Sequence, residues 1–196
     1  TPEGDYIING KKLWITNGCI AKLMVVMARD PETKKISAFV VETNWEGVSV
    51  DYRCRFMGLK ALENGVILFD NVRVPKENLI GKEGQGLKIA LVTLNTGRLS
   101  LPAACLGGAR RCIEASRTFS AERVQWGTPV GKHEAISHKI ATMSSKIFAM
   151  ESWCYLANEL SMRKGYDIRL EAATAKEWGS TRSWDMIDDA MQILGG

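Results

Sequence analysis

The fold divides at the stretch GKEGQGLKIALVTLNTGRL, residues 81–99, where a strand-like pattern gives way to a helical one. Before Gly81, the apolar residues come in short runs that are separated by turn residues. After Gly86, they recur with a period near ~3.6 residues, which is the repeat of an α-helix. The chain is therefore expected to hold an all-β region followed by an α-helical region.

The upstream region carries the sequence signals of several short antiparallel strands. Two apolar runs, residues 6–8 and 13–16, flank Asn9-Gly10, a dipeptide that favours the type I′ turn of a β-hairpin. Many short strands with frequent turns are typical of a β-sandwich or a barrel. Further strands are predicted at residues 23–28, 36–42, 48–52 and 66–74.

Three long helices are predicted downstream, at residues 87–123, 133–163 and 168–194. Pro102 lies inside the first helix and is expected to kink it, because proline lacks the amide hydrogen of one helical hydrogen bond. Gly165 suits the C′ position after the second helix, and Gly195 the end of the third. The inward-facing residues predicted for the first helix are Ile89, Val92, Leu99, Ala103, Leu106 and Ile113.

The predicted fold class is α+β, with a partial antiparallel β-sandwich or barrel followed by a partial antiparallel helical bundle of the four-helix type. Residues 1–82 are assigned to the β domain and residues 83–196 to the helical domain. The β domain has few strands and the bundle has one helix too few, so we expect the chain to be part of a longer protein. The glycines of residues 81–86 fit no phosphate-binding spacing and are interpreted as a flexible connection between domains.

Composition excludes several classes of function. The chain has a net charge of +4, 45% hydrophobic and 24% charged residues, which is typical of a soluble globular protein. Its basic residues are scattered, unlike those of a nucleic-acid-binding protein, and no unbroken apolar run reaches the ~20 residues of a membrane span. The five cysteines include no CxxC pair, and the two histidines are five residues apart, so we expect neither a disulfide framework nor a metal site.

Five motifs are distributed along the whole chain. They are YIINGKKLWITNG at residues 6–18, FDNVRVPKENLIG at 69–81, LNTGR at 94–98, RVQWG at 123–127 with HEAI at 133–136, and QILGG at 192–196. In order and spacing, these motifs resemble those of the acyl-CoA dehydrogenase family. The resemblance implies the family's middle β domain followed by its C-terminal helical domain.

The resemblance implies FAD as the cofactor. Trp14 would cover an edge of the flavin ring, and Thr16 would lie near the flavin N5 atom. Arg123 would bind the diphosphate of a neighbouring subunit's FAD, because its planar guanidinium donates two parallel hydrogen bonds. The residues implied to contact FAD are Trp14, Ile15, Thr16, Arg123, Gln125, Trp126, His133, Glu134, Gln192, Gly195 and Gly196.

Three of these positions depart from the family pattern. Gln125 stands where threonine is commoner, Glu134 where glutamine is commoner, and Trp126 where phenylalanine is usual. A carboxylate beside a diphosphate is unfavourable, so Glu134 would contact the cofactor only through its backbone. Without the surrounding motifs, Trp14 would be interpreted as a core residue of the sandwich and Arg123 as a solvated surface residue.

Substrate contacts are implied on the first long helix, at Asn95, Thr96, Gly97 and Arg98. Isovaleryl- and long-chain-type members of the family carry the catalytic glutamate at the position of Gly97, and glycine cannot remove a proton. Members of the very-long-chain branch also have glycine there and carry the base beyond the Gly-Gly segment. No catalytic residue is therefore expected in this chain, and the base is expected downstream of Gly196.

The implied activity is the α,β-dehydrogenation of a saturated acyl-CoA to a trans-2-enoyl-CoA in fatty acid metabolism. A glutamate removes the α-proton while the β-hydrogen leaves as a hydride to the flavin, and an electron-transferring flavoprotein accepts the electrons. The implied assembly is a homotetramer, built as a dimer of dimers, in the bacterial cytoplasm or the mitochondrial matrix. Two alternatives stay open: an acyl-CoA oxidase that uses oxygen, and an assembly protein with little turnover.

Overall fold

The computed structural model describes residues 1–195. The chain forms two compact units, Thr1–Leu91 and Val92–Gly196. The boundary between the units falls inside the first helix, downstream of the predicted domain boundary between residues 82 and 83. That predicted boundary stays a prediction.

The first unit is built from two three-stranded antiparallel sheets, in the strand orders β1-β5-β4 and β2-β3-β6. A short 3₁₀ turn at Lys76–Asn78 precedes the last strand. Together with the helices of the second unit, these sheets confirm the α+β fold class. The strands are β1 Tyr6–Ile15, β2 Leu23–Arg29, β3 Ile36–Glu42, β4 Val48–Arg53, β5 Gly65–Val74 and β6 Leu79–Ile80.

One apolar cluster joins the two sheets, so they pack face to face as a sandwich. Strands β3 and β5 are the central strands of their sheets and supply most of the buried side chains. Aliphatic β-branched and aromatic residues dominate the cluster, as suits a pleated surface that is buried on one face. Its members are Ile8, Val26, Phe39, Val41, Ile67, Phe69, Val72 and Val74.

The hairpin predicted at Asn9-Gly10 is wrong, because β1 runs unbroken through both residues. The side chain of Asn9 bonds to Asn71 on β5: its Oδ1 accepts the Asn71 amide hydrogen at 2.7 Å, and its Nδ2 donates to the Asn71 Oδ1 at 3.2 Å. The register of β1 and β5 shifts at this point, and Asn71 has a φ of 52°. The Asn-Gly signal therefore marks an irregularity between strands that are distant in sequence.

The glycine-rich segment is packed against β3, which corrects the interpretation of residues 81–86 as a flexible connection. The Gly84 amide donates to the Ser37 hydroxyl at 2.9 Å. At Gly86, a Cβ atom would lie 2.6 Å from the carbonyl carbon of Ser37. Glycine at position 86 therefore permits a close approach of two backbones, which is a packing role.

The second unit contains most of α1 Gly86–Glu122, together with α2 Glu134–Ser161 and α3 Arg169–Leu194. Three helices were predicted, and residues 1–195 contain three α-helices. α2 ends at Ser161, before the predicted Arg163, and Gly165 takes its positive φ within the following connection instead of at C′. Gly195 ends α3 as predicted, with a φ of 97° and its amide hydrogen directed at the carbonyls of Met191 and Gln192.

The core of the second unit lies among all three helices. Pro102 of α1 is buried, and a Cβ atom on Gly179 of α3 would lie 3.2 Å from the Pro102 Cβ. Two of the predicted inward-facing residues of α1 are wrong, because Val92 is 61% exposed and Ala103 is also exposed. The kink predicted at Pro102 stays a prediction. The fully buried cluster comprises Ala109, Met143, Met150, Met186, Ala190 and Ile193.

Among the described residues, α1 alone is long and apolar enough to cross a membrane by length and composition, with a mean hydropathy of 1.3 over an 18-residue window. The sequence predicts no membrane span because no unbroken apolar run is long enough. In α1, Lys88 and Arg98 interrupt the apolar runs. One helix of this kind is weak evidence for a span. Apolar helix faces of this size also pack against other protein surfaces.

Gly97 occupies an open position in α1, where a Cβ atom would meet nothing within 4 Å. We expect Gly97→Ala to raise the free energy of unfolding of this chain by ~0.5–1 kcal/mol, because alanine loses less backbone entropy in a helix. Urea denaturation measures the change. Gly179→Ala is the matched control, since the new Cβ would crowd Pro102 and should cancel the gain. A Gly97→Ala variant no more stable than the original chain would contradict the open environment of this position.

Candidate functional site

A two-residue hairpin connects α1 and α2. Strand β7, Val124–Gln125, pairs antiparallel with β8, Thr128–Pro129, leaving Trp126 and Gly127 at the tip. Their φ values of 52° and 78° are both positive, as a type I′ turn requires. The sequence predicts no strand or helix between residues 123 and 133, and tryptophan is an unusual first residue for such a turn.

Trp126 combines two unfavourable features. A bulky residue in the left-handed region costs ~1–2 kcal/mol, and the Trp126 side chain is 87% exposed to solvent. Exposed apolar surface and backbone strain do not stabilise the fold. Where both persist at one residue, a binding role is the usual reason.

The hairpin forms one wall of a pocket of about 640 Å³ at the end of the helical unit, here called the hairpin pocket. α1 contributes Phe119, α2 contributes Ile136, and α3 contributes Ile193 and Leu194. The pocket brings together residues that are more than sixty positions apart in the sequence. Among the residues with an implied FAD contact, those that line it are Arg123, Gln125, Trp126, His133 and Gly195.

The backbone of Arg123 is fixed on both sides, while its side chain is free. Its amide donates to the Phe119 carbonyl at 2.8 Å, and its carbonyl accepts the Val130 amide hydrogen at 2.8 Å. The side chain is exposed, and no carboxylate among residues 1–195 pairs with it. The pocket therefore holds one uncompensated guanidinium beside apolar walls.

His133 stands at the start of α2, beside the hairpin. Its carbonyl accepts the amide hydrogens of Ile136 and Ser137, but its side chain makes no capping bond to the helix. The ring instead lies edge-on to the Trp126 indole, at 5.6 Å between centroids and 83° between planes. The first amides of α2 consequently keep the partial positive charge of a helix N-terminus.

In the β unit, Trp14 lies in a bulge near the end of β1. The pairing with β5 shifts between Lys12 and Ile15, and Trp14 takes a φ of 55°. The Trp14 side chain is 68% exposed, Ile15 is half-buried and Thr16 is exposed. The common role of a strand tryptophan, filling the sandwich core, is therefore not the role of Trp14.

The four residues with implied substrate contacts divide between two faces of α1. Asn95 and Thr96 line a second pocket of about 790 Å³, together with Leu99 and the connection between α2 and α3. Gly97 and Arg98 do not line this pocket. Arg98 is linked to Asn95 by a hydrogen bond of 3.4 Å from its Nη1 to the Asn95 Oδ1.

Both units match models of one protein family. Residues 1–72 match the acyl-CoA dehydrogenase middle domain, and residues 84–196 match the acyl-CoA dehydrogenase C-terminal domain. The chain belongs to the acyl-CoA dehydrogenase family. The resemblance in the five sequence motifs is thereby confirmed.

Curated relatives include both bacterial and mitochondrial acyl-CoA dehydrogenases. The probable acyl-CoA dehydrogenase FadE10 of Mycobacterium bovis is 49% identical over 203 residues, which cover all of this chain and 31% of the relative. The mitochondrial very long-chain specific acyl-CoA dehydrogenase of Macaca fascicularis is 37% identical over 97% of this chain and 30% of its own length. The chain thus spans about a third of these relatives.

Solved structures of the family share the arrangement of these elements. Butyryl-CoA dehydrogenase from Megasphaera elsdenii superposes with a TM-score of 0.92 at 34% identity, covering all of this chain and 52% of that one. An acyl-CoA dehydrogenase from Bacillus anthracis complexed with FAD superposes with a TM-score of 0.89 at 31% identity, covering 100% and 37% of the two chains.

In the helical unit, two described residues with implied FAD contacts do not line the hairpin pocket. Glu134 is exposed in the first turn of α2, and the Gln192 side chain is exposed on the last turn of α3. The backbone carbonyl of Gln192 accepts the amide hydrogen of Gly195, which lines the pocket, at 3.3 Å. Gly196 lies outside the described residues.

Two residues in the connection between α2 and α3 form hydrogen bonds with side chains at the start of α3. Arg169 donates to both carboxylate oxygens of Asp167 and lowers the pKa of Asp167 to about 2. The Tyr166 hydroxyl donates to the Glu171 Oε1 at 2.6 Å, which raises the pKa of Tyr166. Asp167 is therefore held as a salt-bridged anion at neutral pH, and Tyr166 keeps its proton.

Among residues 1–195, no acidic side chain lies beside Gly97, because a Cβ atom built there would meet nothing within 4 Å. Glu122, at the end of α1, and Glu134 are both exposed and flank the hairpin in sequence. Within residues 1–195, no group of three His, Cys, Asp or Glu side chains could hold a metal ion, and all five cysteines are free.

Proposed function

We propose that the protein carrying this chain is an FAD-dependent acyl-CoA dehydrogenase, which converts a saturated acyl-CoA to the trans-2-enoyl-CoA. The supporting observation is the hairpin pocket, where Arg123, Gln125, Trp126, His133 and Gly195 meet. These residues come from two of the five motifs, RVQWG with HEAI and QILGG. Their convergence follows from the fold, since the two motifs are far apart in sequence.

The donors of the hairpin pocket suit one end of an FAD molecule. The unpaired Arg123 guanidinium and the N-terminus of α2 both favour a diphosphate. The exposed Trp126 ring and the apolar walls favour a flat, weakly polar ring. Gly195, with a φ of 97°, lets backbone groups approach the ligand without a side chain between them. Glu134 is exposed and does not line the pocket.

In the β unit, Trp14, Ile15 and Thr16 are proposed to hold the flavin ring. Trp14 is exposed at a strained bulge, as is expected of a side chain kept for a ligand. The Thr16 hydroxyl is exposed and can donate a hydrogen bond to the ring. Because the family's flavin lies across a subunit boundary, we propose a homotetramer or dimer of dimers in which Arg123 serves the neighbouring copy.

The bound flavin would supply two-electron redox chemistry. The residues of this chain bind and orient the reactants, which places the two carbon–hydrogen bonds of the substrate in a reactive alignment. Asn95, Thr96, Gly97 and Arg98 are proposed to contact the acyl-CoA. The base that removes the α-proton is proposed to lie beyond residue 196, at the family position that follows the Gly-Gly segment.

An electron-transferring flavoprotein is the proposed electron acceptor. The proposed location is the cytoplasm of a bacterium or the mitochondrial matrix of a eukaryote. The proposed acceptor and the proposed location do not depend on the geometry of the hairpin pocket.

We expect the full-length protein to purify yellow, with one FAD per subunit. Denaturation releases the flavin for quantification against the protein concentration. The rate at which air reoxidises the reduced protein then separates a dehydrogenase, which is slow, from an oxidase, which is fast. A colourless, folded oligomer that cannot be reconstituted with FAD would show that the proposed function is wrong.

A further inference from the structure

We propose that His133 is a positioning residue, which acts through Trp126 by holding the indole as a fixed wall of the hairpin pocket. The inference rests on the proposed binding of FAD in this pocket. It assigns to His133 an indirect role in binding, distinct from a direct hydrogen bond to the cofactor.

The first contact fixes the base of the hairpin. The His133 Nε2 lies 3.4 Å from the Gln125 carbonyl oxygen. A carbonyl oxygen can only accept, so Nε2 is the ring nitrogen that carries the hydrogen. This contact joins the start of α2 to the last residue of β7.

The second contact fixes the tip. The His133 ring and the Trp126 indole meet at 83° between planes, a favourable T-shaped arrangement for two aromatic rings. One side chain therefore bridges the backbone of Gln125 and the side chain of the next residue. His133 can serve as a support because its own backbone is anchored: its amide donates to the Val130 carbonyl at 3.0 Å, and its carbonyl accepts the amide hydrogens of Ile136 and Ser137.

The hairpin needs such a support. It has only two residue pairs, and a two-stranded hairpin of this kind is marginal on its own. Trp126 is in the left-handed region and 87% exposed, so neither its backbone preference nor burial holds it in place. Without the His133 ring, the indole would lose its one aromatic neighbour among the described residues.

A double-mutant cycle on the full-length protein separates this role from direct contact. His133→Ala and Trp126→Ala are made singly and together, and the dissociation constant of FAD is measured by titration of the apoprotein. Each single change is expected to weaken FAD binding roughly three- to tenfold, the range for the loss of one ordinary contact. If His133 acts through Trp126, the double variant binds FAD no more weakly than the single variant that has the higher dissociation constant. Fully additive losses would overturn the proposal.

A second measurement does not use FAD. The Trp126 indole N–H resonance of the apoprotein is assigned with Trp126→Phe and followed in three variants of His133. His133→Ala should shift it strongly. His133→Gln keeps an N–H group within reach of the Gln125 carbonyl, whereas the side chain of His133→Asn is too short to reach it. The glutamine variant should therefore shift the indole resonance less than the asparagine variant does. An unchanged resonance in His133→Ala, at an unaltered melting temperature, would overturn the positioning role. Failure of the original protein to bind FAD would instead contradict the proposed function and leave this test valid.

Discussion

Arg123→Ala should weaken FAD binding by roughly ten- to a hundredfold in the full-length protein. Loss of a charged hydrogen-bond donor costs ~1.5–3 kcal/mol, and ~1.4 kcal/mol corresponds to a tenfold change in affinity. The effect should be large because the guanidinium has no carboxylate partner among the described residues, so its charge is available to a ligand. Titration of the apoprotein with FAD, followed by flavin fluorescence, measures the change.

Two further variants control for charge and for geometry. Arg123→Lys keeps the charge but loses the planar pair of donors, so it should fall between the original protein and Arg123→Ala. Arg111→Ala removes an exposed arginine that pairs with Glu114 on the surface of α1, and it should leave the affinity unchanged. Wild-type affinity in Arg123→Ala would show that this residue does not bind the cofactor.

Residues 1–196 alone should not dehydrogenate acyl-CoA, even with FAD added. A positioned base contributes ~10²- to 10⁴-fold to the rate, and Gly97 leaves the one family base position within this chain without a carboxylate. The assay incubates the chain with FAD and saturated acyl-CoA substrates and follows a dye that accepts electrons. Turnover comparable to that of the full-length protein would mean that a base exists among these residues.

The absence of a catalytic base among these residues can also be tested in the full-length protein, by substitution of two glutamates. Glu122→Gln and Glu134→Gln should each keep most of the turnover number, because neither residue is proposed to touch the α-carbon of the substrate. Their effect, if any, should appear in FAD affinity. A loss of ~10²-fold or more in the turnover number of either variant would identify that glutamate as the base.

Periodicity in the sequence predicts most of the secondary structure but not the pairing of strands. The helices follow from their repeat, and the strands from short β-branched runs. Asn9-Gly10 misleads because its local preference for a turn is weaker than pairing with β5, which Asn71 completes through two hydrogen bonds. The hairpin at Trp126 is missed for the opposite reason, since tryptophan stands where asparagine, aspartate or glycine usually begins such a turn.

The location of the hairpin pocket could not be predicted from residue patterns, because its walls come from the ends of three helices. Family motifs supply the candidates, but they cannot show which side chains converge. His133 and Ala135 line the pocket, whereas Glu134, which lies between them, does not. On α1, Asn95 and Thr96 line the second pocket, whereas Gly97 and Arg98 do not.

The most direct test of the proposed function is reduction of the bound flavin by substrate in the absence of oxygen. The full-length protein is mixed anaerobically with saturated acyl-CoA thioesters of graded chain length, and the visible absorption of the oxidised flavin is followed. We expect at least one thioester to bleach this absorption, with formation of one trans-2-enoyl-CoA for each FAD reduced. A protein that contains FAD but stays fully oxidised with every acyl-CoA would contradict the assignment as a dehydrogenase.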